Sequence, residues 1–203
     1  MRIQDVSHLE TENLEKWVSF ALLTRYLKIH TVRPLQIAEM AKAGSSLPPV
    51  VVKEGTPGTD VKITDLFKGK KGILFGVPGA FTPVCSSSHL PGYVGDYDKL
   101  TKAGAEVIAC LSINDAFVMA AWGTANGSSG KVRMLADQAG ELTKALGVEL
   151  DSVDMLGNVR CKRFSAVIVD NVIKTMNVED NSLEATCSMP DTAYKQLSQL
   201  TEA

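Results

Sequence analysis

No apolar run in this 203-residue chain approaches the roughly 18 residues that a membrane-spanning helix needs, so no bilayer span is expected. Charge of one sign is also missing. The formal net charge is −2 with 22% charged residues, which gives no reason to expect nucleic-acid or anionic-membrane binding. The four cysteines, Cys85, Cys110, Cys161 and Cys187, contain no C-x-x-C pair and no zinc-ligand spacing, so no metal site is expected. There is no secretory signal pattern, internal repeat or low-complexity tract. The thiols therefore suit a reducing compartment, where cysteines do chemistry rather than staple a fold. A hydrophobic content of 45% is ordinary for a globular protein, and the length allows one well-cored domain plus a terminal segment.

The most informative stretch is Phe75-Gly-Val-Pro-Gly-Ala-Phe-Thr-Pro-Val-Cys85. Ile73-Leu74-Phe75 reads as a buried strand, and Gly76, Pro78, Gly79 and Pro83 punctuate the loop after it. Val84, His89, Leu90, Tyr93, Val94, Tyr97 and Leu100 then recur at roughly helical spacing, predicting a helix to about Lys102. Cys85 falls in or just before its first turn, where unpaired N–H groups and the positive end of the helix dipole favour a thiolate, the reactive form.

Elsewhere the pattern predicts a strand at Val50–Val52, a turn at Gly55–Gly58 and a short helical turn at Thr64–Phe67. A β run at Val107–Ser112 precedes a helix capped by Asn114 or Asp115. A loop at Asn126–Gly130, a strand at Val132–Leu135 and a short helix at Glu141–Leu146 follow. Phe164–Val169 and Val172–Val178 flank Asp170-Asn171 as a hairpin, and a last helix covers about Thr192–Leu200. This alternation indicates an α/β sandwich with a mixed central sheet.

Pro78-Gly-Ala-Phe-Thr82-Pro83-Val84-Cys85 resembles the peroxidatic motif of the peroxiredoxins. The longer matches Lys70–Pro83, Ser88–Tyr93, Ala109–Phe117, Lys162–Ser165 and Thr186–Ser188 resemble the type-5, atypical two-cysteine subfamily, over about Leu47 to Leu200. The resemblance implies a thioredoxin-like fold with a mixed central sheet flanked by helices. It also implies a thiol peroxidase acting on hydrogen peroxide and organic hydroperoxides, with peroxynitrite a further candidate substrate. No cofactor is expected. By the same resemblance Cys85 is the peroxidatic cysteine, Cys187 the resolving one in an intramolecular disulfide, and Arg163 the arginine that lies against Cys85. Thioredoxin is the implied reductant, and a non-covalent homodimer is a further expectation.

Read from the residues, each site position has a plainer alternative. Cys85 could be a buried structural cysteine, but its polar helix-start setting and the Thr82 hydroxyl three residues upstream oppose that. Thr82 is expected to orient the peroxide, Pro78 and Pro83 to fix the loop and limit water, and backbone N–H groups around Val84 and Cys85 to stabilise developing charge. Cys110 lies in a run too apolar to stabilise a thiolate and reads as structural. Cys187 sits in a polar loop, exposed enough to be oxidised or to be an idle surface thiol. Its upstream segment Asn181-Ser-Leu-Glu-Ala is more acidic than the family's Gly-rich pattern, which bears on loop mobility. Cys161, between Arg160 and Lys162, departs from the family. If extended it shares a face with Arg163, and flanking cations would lower its pKa, making it an alternative resolving or glutathionylation site. Arg160 and Lys162 read as solvated surface cations, and His89 as a structural hydrogen-bonding residue rather than half of a Cys–His protease pair.

Residues 1–39 form a separate N-terminal extension ahead of a 40–203 domain. Leu14, Trp17, Val18, Ala21, Leu22 and Tyr26 space as an amphipathic helix. Lys16 to Ala38 holds cations and no acid, like a mitochondrial transit peptide, while Asp5, Glu10, Glu12 and Glu15 favour an appended helix instead. Cytoplasmic or mitochondrial residence is expected. Peroxisomal targeting is not, because Ser198-Gln-Leu200 is followed by Thr201-Glu-Ala203. Two other readings stand beside the peroxidase: a redox-signalling thiol that relays oxidation with little turnover, and an idle thioredoxin-like interaction domain.

Overall fold

The structure, a computed structural model, describes residues 40–200. The amphipathic helix and targeting pattern read in residues 1–39 lie outside the described residues. A seven-stranded mixed sheet is built from β1 (Val51–Glu54), β2 (Thr56–Lys62), β3 (Lys71–Gly76), β4 (Val107–Ser112), β5 (Arg133–Ala136), β8 (Phe164–Val169) and β9 (Val172–Val178). Its strand order is β2-β1-β5-β4-β3-β8-β9. β3, β4 and β5 are parallel, and antiparallel strands complete both sides.

The central strands β3, β4 and β8 are buried at nearly every position because both faces are covered. On β3, Ile73 and Phe75 join one core cluster while Leu74 joins the other, as the two-residue period of a strand requires. The first cluster is covered by α2 (Leu90–Gly95), α3 (Tyr97–Lys102), α4 (Ala116–Ala125) and α7 (Pro190–Gln199), through Tyr93, Leu100, Trp122 and Leu197. The second is covered by α1 (Ile63–Phe67) and α5 (Glu141–Ala145), through Phe67 and Leu142.

Asp170 and Asn171 turn the β8–β9 hairpin with φ of 45° and 63°, the paired left-handed geometry that a two-residue loop demands. Three expectations change. At Gly55–Gly58 only Gly55 turns, and Thr56, Pro57 and Gly58 join β2, an edge strand where a proline costs no ladder bond. The helix expected to run to Lys102 is interrupted at Asp96, and its first turn, Cys85–His89, is a π-turn in which Leu90 N–H reaches back to Cys85 O. Pro91 has no N–H to give the carbonyl one turn earlier, so the ladder widens just ahead of it. Ser88 Oγ donates to Val84 O at 3.0 Å, occupying a carbonyl at that widened turn. The third change is three small elements too short to leave a periodic signal: β6 (Glu149–Leu150), α6 (Val153–Leu156) and β7 (Arg160–Cys161), with β6 pairing β7.

Candidate active site

The loop after β3 is held from both ends. Val77 N–H donates to Leu111 O at 3.0 Å, and Ala80 N–H donates to Asn114 Oδ1 at 3.0 Å, which also accepts from Ser112 Oγ at 2.8 Å. Asn114 is thus a loop anchor, and Asp115 caps α4 by accepting from Val118 N–H. Phe81, at φ 60°, holds a left-handed conformation that is costly for a residue with a Cβ, and its ring is exposed. Thr82 Oγ1 donates to Gly79 O at 2.9 Å, and Thr82 also lines a cavity beside Arg163. Ser86 N–H donates to Thr82 O, starting the turn that carries Cys85.

Cys85 is fully buried, and Arg163 is 2% exposed. Arg163 Nη2 donates to Cys85 Sγ at 3.3 Å and to Ser182 O at 3.0 Å, Nε donates to Ser182 O at 3.1 Å, and Nη1 lies 3.1 Å from His89 Nδ1. Because the guanidinium can only donate, Nδ1 accepts, and His89 carries its proton on Nε2, which donates to Ser188 O at 3.1 Å. Burial, reinforced by the Arg163 charge, lowers the His89 pKa from 6.5 to about 4, so the ring is neutral at pH 7. Phe75 packs edge-on to His89 and stacks on Tyr93 at 4.0 Å, fixing both rings.

Among the described residues no carboxylate pairs with Arg163. A buried cation left without an anion is costly, and the Cys85 sulfur is the side-chain acceptor that its Nη2 meets. A cavity of about 400 Å³ opens beside Arg163. Pro78, Thr82, Pro83, Met155, Leu183 and Arg163 are among the residues that line it, and its wall is largely apolar.

The structure thus brings Cys85, Thr82, Pro78 and Arg163 to one place. Cys187 sits apart on a loop that reaches the same network through its neighbour: Ser188 O accepts from both His89 Nε2 and Tyr93 Oη, the latter at 2.8 Å. Cys187 is half-buried, and burial together with the Glu179 carboxylate raises its pKa.

The flanking-cation expectation for Cys161 fails. Cys161 is fully buried in the second core cluster, and burial pushes its thiol up to about 12 despite a lowering contact with Thr143. Arg160, expected in solvent, instead donates from Nη1 to Ile113 O at 2.8 Å and from Nη2 to Leu156 O at 3.3 Å, bracing the ground beneath the Cys85 loop. Cys110 is buried in the first cluster with its pKa raised well above the ordinary thiol value by burial.

Three residues of the network escaped the sequence reading: Glu179, Ser182 and Ser188. They are polar groups in irregular chain, where no period marks a buried position. The one available signal was an acid beside a Ser/Thr-rich segment.

Comparison with known proteins decides the family. The Redoxin family model matches residues 42–197. The chain belongs to this family, and within it to the peroxiredoxins. It is 44% identical over 155 residues to "Peroxiredoxin-2E, chloroplastic" of Arabidopsis thaliana, covering 73% of this chain and 66% of that one. To Peroxiredoxin-2D of the same plant it is 44% identical over 137 residues, covering 68% of this chain and 84% of that one. Among solved structures, peroxiredoxin 5 from Alvinella pompejana superposes with a TM-score of 0.71 at 42% identity, over 78% of this chain and 99% of that one. Reduced Prx3 in complex with H2O2 from Vibrio vulnificus gives 0.73 at 41% identity, over 78% and 99%. The fold is therefore the thioredoxin-like one expected, and the chemistry is that of a thiol peroxidase.

Proposed function

We propose that Cys85 is the peroxidatic nucleophile, Cys187 its resolving partner and thioredoxin the reductant. The observation that carries this reading is the Arg163–Cys85 contact: a buried guanidinium that donates to the Cys85 sulfur and also lines the adjoining cavity. Cys85 thiolate attacks one peroxide oxygen, forming an S–O bond as the O–O bond breaks. Sulfur gives up two electrons, and the departing oxygen takes a proton to leave as water or an alcohol. Arg163 and the backbone N–H groups at the helix start stabilise the charge that develops on these oxygens. Thr82 Oγ1 orients the peroxide, and Pro78 and Pro83 restrict water.

The Cys85 sulfenic acid then condenses with the Cys187 thiol. An S–S bond forms, the S–O bond breaks and water leaves. A dithiol reductant returns both sulfurs to thiols. Hydrogen peroxide and organic hydroperoxides fit the cavity's mixed lining, and its apolar wall suits an alkyl tail. The exposed rim residues Phe81, Met155 and Leu183 fit the non-covalent homodimer, which sedimentation equilibrium would test. A cytoplasmic or mitochondrial location is tested by imaging the tagged full chain.

The reading is tested by non-reducing peptide mapping after one equivalent of hydrogen peroxide. A Cys85–Cys187 linkage within one chain, reversed by thioredoxin with multiple turnovers, is expected. A Cys85–Cys161 linkage would reassign the resolving thiol. Stoichiometric oxidation without turnover would favour the redox-relay role.

A further inference from the structure

Glu179 directly follows the last residue of β9, and its N–H donates to Arg163 O at 2.9 Å. Oε1 accepts from Thr186 N–H at 2.6 Å, Ser188 N–H at 2.9 Å and Ser188 Oγ at 2.7 Å, and Oε2 accepts from Thr186 Oγ1 at 2.7 Å. All four donors belong to the two residues that flank Cys187. Hydrogen bonds to an ionised carboxylate are among the stronger ones a loop can make. On the far side of the same peptide, Ser188 O is held by His89 and Tyr93.

Between Cys85 and that peptide stand the Arg163 guanidinium and the His89 imidazole, joined end to end by hydrogen bonds. A disulfide needs sulfurs at about 2.05 Å and Cα atoms within about 7 Å. Cys85 and Cys187 are both free thiols here, and the segment that carries Cys187 is held on both sides, so drawing it to Cys85 works against those bonds.

We propose that Glu179 is the latch of the resolving step: it holds the Thr186–Ser188 segment in the reduced protein, and the release of that segment limits how soon Cys187 reaches the Cys85 sulfenic acid. This rests on the assignment of Cys187 as the resolving thiol. The latch works against resolution, so it also sets sensitivity to overoxidation. While Cys187 is held, a second peroxide can transfer an oxygen to the sulfenic acid, giving a sulfinic acid and water or an alcohol. Latched, Cys187 also remains a thiol, kept protonated by burial and the neighbouring carboxylate. Glu179 touches neither Cys85 nor the cavity, and it acts as a positioning residue.

The test compares wild type, Glu179→Ala and Glu179→Gln by rapid mixing with hydrogen peroxide, quenching by alkylation and mass spectrometry. Three readouts are followed: the rate of Cys85–Cys187 closure, the peroxide dose that converts half of Cys85 to sulfinic acid, and hydrogen exchange at the Thr186 and Ser188 amides. Glu179→Ala should close about tenfold faster, raise the sulfinic dose in proportion and lose protection at both amides, as expected for removing several charge-assisted bonds. Glu179→Gln should fall between wild type and the alanine variant, because its carbonyl oxygen still accepts from Thr186 N–H, Ser188 N–H and Ser188 Oγ and its amide can donate to Thr186 Oγ1, while the charge assistance is lost.

If Glu179→Ala does not fold, Thr186→Val removes one latch donor alone and should speed closure by about two- to fivefold. Closure at or below the wild-type rate in the folded alanine variant, or in Thr186→Val, overturns the latch alone. Absence of a Cys85–Cys187 linkage in wild type overturns the Cys187 assignment, and the latch with it.

Discussion

Cys85 and Cys161 are both fully buried, yet the chain treats their sulfurs differently. Cys161 has Arg160 and Lys162 as immediate neighbours, but Arg160 spends its donors on the Ile113 and Leu156 carbonyls, and the thiol is pushed up to about 12 by burial. Cys85 is 78 residues from Arg163, and the guanidinium donates straight to its sulfur. What matters is which sulfur the guanidinium donates to, because Cys110 shares the first core cluster with Cys85 and is still raised by burial. Cys161 enters the second core cluster with Leu142 and Phe164, whereas Cys85 belongs to the first cluster.

The sharpest way to break this contrast is to remove the charge on one side of it. Arg163→Gln should lower the second-order rate of Cys85 oxidation by about 10²–10³-fold, the usual loss when one charge-stabilising donor is taken from a reacting centre. Stopped-flow peroxide reduction measures it, and a loss below fivefold would separate the contact from the chemistry.

The neutral His89 beside that cation gives the next effect, on stability. Its pKa falls from 6.5 to about 4 on folding, so below pH 6.5 the unfolded chain binds the extra proton. Stability is complete above about 6.5 and declines as pH falls toward 4, by up to about 3 kcal/mol at about 1.4 kcal/mol per unit. Urea midpoints across that range should fall with acid in wild type and flatten in His89→Gln. The two other histidines, His8 and His30, lie in the N-terminal extension.

Smaller changes sharpen the comparison further. Thr82→Val, nearly isosteric but unable to hydrogen-bond, should slow peroxide reduction by about tenfold, while Thr82→Ser recovers most of it. Cys161→Ala should leave peroxidase turnover within about twofold and cost about 1 kcal/mol in chemical denaturation, the scale of a small cavity in a packed core. A large loss of turnover would return Cys161 to the chemistry.

Much of this was legible in the sequence. The central strands showed as apolar runs, the hairpin as Asp170-Asn171 between two β-branched stretches, and the loop from Pro78 to Cys85 as glycine and proline spacing ahead of a helical period. The structure brings Thr82, Cys85 and Arg163 together, but the contact of Arg163 with Cys85 was implied by family resemblance, since nothing local in Lys162-Arg-Phe distinguishes a buried arginine from a surface one. The loop side was much less legible. Glu179 ends an ordinary β-branched strand, and Ser182 and Ser188 lie in irregular chain whose hydrogen bonds are made over long sequence distances. Burial works against its ionisation, yet the bonds from Thr186 and Ser188 bring the Glu179 carboxyl down to about 2. That outcome depends on where the loop folds back, and no local pattern records it. The Arg160 brace and the β6–β7 pair were hidden for the same reason: two-residue strands carry no period.

The central claim is that peroxide oxygen is transferred to Cys85 and to no other sulfur. The direct measurement is dimedone trapping in the Cys187→Ser variant after one equivalent of hydrogen peroxide, followed by peptide mass spectrometry. A dimedone adduct on Cys85 is expected, with Cys110 and Cys161 unlabelled. An adduct on Cys161, or Cys85 recovered as the free thiol, would contradict it.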